Sequence, residues 1–228
     1  MLAGRSLPLV VALALWLLAG ALFVALAVPG WSDPVQTVDD EVLQLAIDTE
    51  QAVLVSVAEV MDVVGGTWVT TTVIIGVGLL LATRRRWEAL ITWAIAMGLS
   101  QLMIGPVKAI YERARPPGDL PLPSDIALVE TTGYSFPSGH SVAGAAIAVA
   151  LVIVLVPAGP KRRALEVAAT LFALLVGLSR VYLRAHWLSD VVAGAALGAA
   201  AAIVAAIVVH LVDERRAARG GAVPPHTA

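Results

Sequence analysis

The sequence predicts an all-α, polytopic membrane protein, with six transmembrane helices forming a helical bundle core. Three observations point there. The 228 residues are 59% hydrophobic and only 14% charged, well above the roughly 45–50% apolar usage of soluble domains. Several apolar runs reach or approach the ~18–20 residues that a helix needs to cross a bilayer. Clusters of basic residues recur in alternate loops, as the positive-inside rule asks of a chain that crosses repeatedly. The net charge of −2 comes with no basic nucleic-acid surface, so no nucleic-acid partner is expected. The absence of cysteine excludes disulfides and thiolate metal sites.

Taken in order, the six spans are Leu7–Val28, Val63–Ala82, Ala89 to about Tyr111 with Pro106 inside, Ser138–Val156, Ala164–Leu183 and Leu188–Val212. At 1.5 Å per residue each can traverse much or all of a hydrocarbon core of ~30 Å. The small residues at 25–27 resemble a signal-peptidase site. The apolar run before them exceeds the ~7–15 residues of a signal peptide, so a retained helix is expected. Trp31, Trp68, Trp87 and Trp187 fall near predicted helix ends, where indoles favour the membrane interface. Residues 1–212 thus read as a single six-helix domain, and 213–228 as a cytoplasmic, disordered tail containing His226. His210 reads as structural, and the glycines of "GAALG" at 194–198 as a close helix contact.

Arg5, Arg84–Arg86, Lys161–Arg163 and Arg215, Arg216 and Arg219 put their loops and both termini in the cytoplasm. Lys108, Arg113, Arg115, Arg180 and Arg184 then lie on the outer side, against the rule, and need local reasons. Residues 31–62 carry eight carboxylates and no basic residue. Leu43, Ile47, Leu54, Val57 and Met61 recur near helical spacing, which predicts an outer amphipathic segment over about 36–62, capping the bundle or covering a substrate entrance.

Three short stretches share that outer face. In "KAIYERARP", Lys108 and Arg115 are seven apart, two turns on one face if the helix continues that far. In "PSGH", Ser138 is a good N-cap. The N–H groups of Gly139 and His140 are then unpaired at the positive end of a helix dipole, a ready anion site. In "SRVYLRAHWLSD", His186 and Asp190 are four apart. The carboxylate can accept one imidazole N–H and leave the other ring nitrogen as nucleophile or base. Together the stretches gather three cations (Lys108, Arg115, Arg180), a helix N-terminus, two histidines and an aspartate. That inventory suits phosphoryl transfer, which needs positive charge around the equatorial oxygens, an in-line nucleophile and an acid for the leaving oxygen. With three fixed cations and no cage of carboxylates, no metal and no cofactor are expected. Arg113 and Arg184 read as solvated surface charge.

The pattern Lys-x6-Arg-Pro, Pro-Ser-Gly-His, Ser-Arg-x5-His-x3-Asp resembles the type 2 phosphatidic acid phosphatase (PAP2) superfamily, in its integral-membrane lipid phosphatase branch. It is complete over residues 108–190. The resemblance implies that His186 attacks phosphorus to form a phosphohistidine, with Asp190 orienting it, and that His140 protonates the leaving oxygen. Lys108, Arg115, Arg180, Ser138 and Gly139 would hold the phosphate. It implies a lipid phosphate substrate in a bilayer, in the plasma (inner) membrane. Phosphatidic acid, phosphatidylglycerol phosphate and polyprenyl pyrophosphates are the expected classes, and an outward site favours the last. A lipid-to-lipid phosphotransferase and a non-catalytic lipid-binding or transport protein are the alternatives.

Overall fold

Every regular element among the described residues is an α-helix, as suits an apolar chain whose backbone groups find no water in a bilayer. The computed structural model describes residues 3–28, 30–117, 133–157 and 159–220. Its helices are α1 (Ala3–Ala27), α2 (Ser32–Asp48), α3 (Ala52–Gly65), α4 (Thr67–Thr83), α5 (Trp87–Tyr111), α6 (Gly139–Leu155), α7 (Pro160–Tyr182) and α8 (Leu188–Gly220).

Among the described residues four stretches are long and apolar enough to cross a membrane: Leu9–Ala27, all of α5, all of α7, and Leu188–Arg216. The α3–α4 pair, bent by 46°, makes a fifth if it counts as one span. α6, with 17 residues, is shorter than the 18 that this criterion needs. Length and composition therefore give four or five crossings against the six expected. Two local features account for the difference. Gly66, extended at ψ 160°, interrupts the second expected span. Ser138 and Val156, both extended, bound α6 at either end.

α6 forms the centre, with eleven of its 17 residues buried. It packs against α5, α7 and α8, and α1 lies on the far side of α8. Small residues set the α6–α8 distance. A Cβ added to Gly198 would lie 2.1 Å from the Val142 carbonyl oxygen, and one on Gly194 would lie 2.7 Å from that of Ser138. The expected close contact at 194–198 is therefore a backbone-to-backbone approach onto α6. Leu81, Trp93, Met97, Ile147 and Val154 fill the core beside it, and the Trp93 indole donates to the Ile74 carbonyl at 3.0 Å.

The outer segment differs from the expectation. It is two helices, α2 and α3, separated at residues 49–51, and the break resets the helical phase. Leu43 is buried, but Leu54 and Val57 are exposed, and the inward stripe of α3 is Val55, Ala58 and Gly65. α2 packs across α1, α7 and α8, while α3 packs on α4, α6 and α7. At the other end of the chain, α8 continues past Val212 to Gly220, so the expected tail over 213–228 is helical at its start. Residues 221–228, with His226, lie outside the described residues. Trp31, Trp68 and Trp87 are exposed as interfacial anchors would be. Trp187 is buried, its indole donating to the Ala114 carbonyl at 2.9 Å.

Candidate active site

α7 ends at Tyr182, and the chain reverses over that end. The N–H groups of Ala185 and His186 both donate to the Arg180 carbonyl, at 2.9 and 3.1 Å, and Arg184 takes a left-handed φ of 55° in the turn. This reversal brings His186 beside Asp190, in the first turn of α8. His186 Nδ1 lies 3.4 Å from Asp190 Oδ2 and 3.3 Å from Ser135 Oγ. The Ser135 hydroxyl and the Trp187 N–H both donate to that same carboxylate oxygen, the latter at 3.0 Å. The other oxygen, Oδ1, accepts from Arg113 Nη1 at 2.7 Å.

The second ring nitrogen, His186 Nε2, faces Arg115 Nη1 at 3.1 Å. A guanidinium has only donors, so Nε2 must present its lone pair and the proton must reside on Nδ1. His186 is 3% exposed. Burial pushes its pKa down to about 4, against the pull of Asp190 and with help from Arg115 and Arg180. The result is a neutral imidazole at pH 7 with one defined lone pair, directed at a cation that can exchange partners with an anion.

Lys108 and Arg115 meet, but not on one helical face. α5 stops at Tyr111, with Glu112 left-handed at φ 44°, and Arg115 reaches the site from the following loop. The two converge on the Tyr134 carbonyl, which accepts from Lys108 Nζ at 2.5 Å and Arg115 Nη2 at 3.4 Å. Arg115 also donates to the carbonyls of Gly133 and Ala185, at 3.0 and 2.7 Å.

Ser138 is the N-cap of α6, its hydroxyl accepting from Ser141 N–H at 3.4 Å. Its own N–H donates to the Asp190 carbonyl at 3.1 Å, which ties the α6 start to α8. Among the described residues the N–H groups of Gly139 and His140 have no hydrogen-bond acceptor. A Cβ at Gly139 would meet nothing within 4 Å, so the backbone there is open to close approach. His140 Nε2 lies 3.1 Å from Asp62 Oδ1 on α3, and that oxygen also contacts Arg180 Nη1.

The structure thus joins His186, Asp190, Arg115 and Ser138 by direct contacts, joins Lys108 to them through Tyr134, and joins His140 to Arg180 through Asp62. It also adds residues that the motifs did not mark. Arg113 is not solvated: it bridges Asp190 and Asp39, the latter at 2.7 Å, and lies 5.6 Å from the centre of the Trp187 ring. Asp39, 1% exposed, also accepts from the N–H and hydroxyl of Ser189. Arg184 is buried too, paired with Glu50 at 2.5 Å. Among the described residues no three of His, Cys, Asp and Glu are grouped as metal ligands.

Comparison with known proteins places this geometry in a family context. The PAP2 superfamily model matches residues 89–214. The chain is 31% identical over 183 residues to phosphatidylglycerophosphatase B of Bacillus subtilis, covering 77% of this chain and 85% of that protein. It is also 31% identical over 121 residues to an undecaprenyl-diphosphatase of Sulfolobus acidocaldarius, covering 53% of this chain and 55% of that protein. The crystal structure of a transmembrane PAP2-type phosphatidylglycerolphosphate phosphatase from Bacillus subtilis superposes with a TM-score of 0.69 at 28% identity, over 90% of this chain and 96% of the other. That of LpxE from Aquifex aeolicus shares the fold, with a TM-score of 0.57 at 22% identity over 72% and 92% of the two chains.

Proposed function

The chain belongs to the PAP2 superfamily and is a phosphatase of that type, and from this premise we propose that it hydrolyses the phosphomonoester or pyrophosphate of a membrane lipid through a phosphohistidine, without a metal. The observation that carries this is the state of His186: neutral, its Nδ1 proton held toward Asp190 and Ser135, its Nε2 lone pair 3.1 Å from an arginine. An entering phosphate oxygen competes for the Arg115 N–H and so releases Nε2. That nitrogen attacks phosphorus while the bond from phosphorus to the leaving oxygen breaks, and the leaving oxygen takes a proton from His140. Water then attacks phosphorus, the P–N bond breaks with its electron pair returning to Nε2, and the water proton passes to His140. Lys108, Arg115, Arg180 and the free N–H groups at Gly139 and His140 hold the equatorial oxygens, where charge accumulates.

The remaining details follow the same reading. Six crossings result if α3–α4 is one bent span and α6 another. The latter is ~25 Å long at 1.5 Å per residue, and its burial among other helices relieves it of matching the lipid thickness by itself. The alternation of basic loops puts both termini in the cytoplasm and the site at the extracytoplasmic face of a plasma membrane. The names of the two curated relatives make phosphatidylglycerol phosphate and polyprenyl pyrophosphate the first substrates to try, with phosphatidic acid third.

The test is phosphate release by the purified protein in detergent with EDTA, comparing wild type with His186→Ala on these three lipids. Release by wild type alone supports the reading and ranks the substrates. Equal release by the two proteins removes the mechanism. Transfer of phosphate to an added lipid alcohol, without release to water, makes the chain a phosphotransferase.

A further inference from the structure

α3 carries none of the three motifs, yet its last turn forms one wall around His140. Asp62 Oδ1 lies 3.1 Å from His140 Nε2, and the same oxygen contacts Arg180 Nη1. Three residues on, Gly65 is buried against the adjoining edge of that ring: a Cβ there would lie 3.0 Å from His140 Cδ2 and 2.7 Å from Val176 Cγ1. A spacing of three puts both residues on one face of α3. Val55 and Ala58, buried on the same helix, anchor that face on the bundle. The imidazole is therefore held at Nε2 by a carboxylate and along its edge by a backbone that leaves no room for a side chain.

We propose that Asp62 is a positioning residue for the reaction, forming with His140 a second histidine–carboxylate pair that keeps the acid aimed, with Gly65 as the surface on which the ring rests. The inference rests on the phosphatase reading above. The chemistry is the counterpart of His186 and Asp190. In that pair Nδ1 faces the carboxylate and Nε2 serves the reaction; in this one Nε2 faces the carboxylate, and Nδ1 has no hydrogen bond among the described residues. When the ring is protonated, a carboxylate that accepts from Nε2 fixes which N–H remains to be given away. Nδ1–H is then the proton delivered to the leaving oxygen. Asp62 also holds Arg180, 2% exposed, through Nη1; Arg180 Nε lacks a hydrogen-bond partner among the described residues, as a donor reserved for an incoming anion would.

The experiment separates an acid from a scaffold by the leaving group. A lipid phosphomonoester expels an alkoxide and needs the proton; 4-nitrophenyl phosphate expels a stabilised phenolate and hardly does. Full-length Asp62→Asn, Asp62→Glu, Gly65→Ala, His186→Ala and wild type are assayed in detergent on both substrates, with melting temperatures measured alongside. The expected result for Asp62→Asn is a kcat lowered about 10- to 100-fold on the lipid, part of the about 10²–10⁴-fold that general acid catalysis supplies, and by less than about threefold on the aryl phosphate. Asp62→Glu restores part of the lipid rate. Gly65→Ala, which presses on the ring at Cδ2, shows the same preference for the aryl substrate, so the inference stays testable if Asp62→Asn fails to fold. Equal losses on both substrates in the Asp62 and Gly65 variants overturn it, since that is the mark of a merely structural role. A lower KM with kcat unchanged also overturns it, because Asp62 would then only compete with phosphate for Arg180. Activity in His186→Ala equal to wild type would instead strike the underlying phosphatase mechanism, whatever Asp62 does.

Discussion

Asp39 on α2 and Asp190 on α8 share one guanidinium, that of Arg113, which donates at 2.7 Å to each. Both carboxylates are almost wholly buried, and Asp190 in turn faces His186. Removing the arginine strands two buried negative charges, the costly direction in which to break such a pair. Arg113→Ala should therefore lose ~3–5 kcal/mol of stability, and its phosphatase rate should fall with the orientation of Asp190. Asp39→Asn leaves Arg113 its partner in Asp190 and should cost less, about 1–3 kcal/mol. Thermal melts in detergent check both, and an Arg113→Ala protein that melts with wild type would show the bridge to be unimportant.

The state of His186 makes a prediction about pH. Its folded pKa, near 4 through burial, lies below the ~6.5 of an exposed imidazole. The groups that face it are Asp190 and Ser135 at Nδ1 and Arg115 at Nε2, with Arg180 contributing a further positive charge. If His186 is the nucleophile, as proposed, its protonation should thus place the acid limb in kcat/KM near pH 4, not near 6.5. The stability consequence has a definite sign. Unfolded His186 binds a proton more tightly than folded, so its stabilising contribution is fully present above about pH 6.5 and is lost as pH falls through 4. Melting temperatures across pH 4–7 for wild type and His186→Gln check this: the variant should lose that part of the acid sensitivity.

The three motifs were legible in the sequence because their spacing carries chemistry. Ser138 is an N-cap in any context that starts a helix there, and His186 with Asp190 is a histidine–carboxylate pair whether or not both are helical. Asp39, Glu50 and Asp62 were not legible as partners of Arg113, Arg184, His140 and Arg180. Those contacts arise only when α2 and α3 fold across the bundle end. A signal was nevertheless present. Five cations stood against the positive-inside bias, and the preceding outer segment held eight carboxylates without one base. Charge balance between those two sets would have joined them. The phase of α3 is hidden for a different reason: a single helical period carried through residues 49–51 turns Leu54 and Val57 inward in place of Val55 and Ala58. Ser135 had no signal at all, since its role depends on how its loop returns to α8.

The α6–α8 contact gives a packing prediction far from the chemistry. Gly198 has no room for a methyl group, since its Cβ would lie 2.1 Å from the Val142 carbonyl oxygen and 3.0 Å from the Ala146 nitrogen. Neither atom is the end of a flexible side chain, so α8 must shift. Gly198→Ala should destabilise by about 1–3 kcal/mol, as overpacking does. Gly78→Ala, where nothing lies within 4 Å, should leave the melting temperature close to wild type. Equal melting temperatures for the two variants would mean that the helices are looser than this contact implies.

Sidedness decides which lipids can reach the site, and the chain's lack of cysteine makes it directly measurable. The bases at Arg84–Arg86 and Lys161–Arg163 flank the α4–α5 and α6–α7 connections, while Lys108, in the last turn of α5, and Arg115 and His186, in connections, lie at the opposite ends of those helices. Two of the five cations that resist the topological rule on the proposed orientation, Arg113 and Arg184, are paired with Asp39, Asp190 and Glu50, so they present little free charge to a membrane potential or an anionic leaflet. On the proposed orientation, that leaves Lys108, Arg115 and Arg180 against the basic loops in place of five cations. Single cysteines at Gly118 and Gly159, in a chain with no other thiol, should behave oppositely toward a membrane-impermeant maleimide: the first labelled in intact cells, the second only after permeabilisation. The reverse pattern would turn the phosphate pocket toward the cytoplasm. A polyprenyl pyrophosphate left on the outer surface could not then be its substrate, whereas a lipid phosphate exposed on the inner leaflet could.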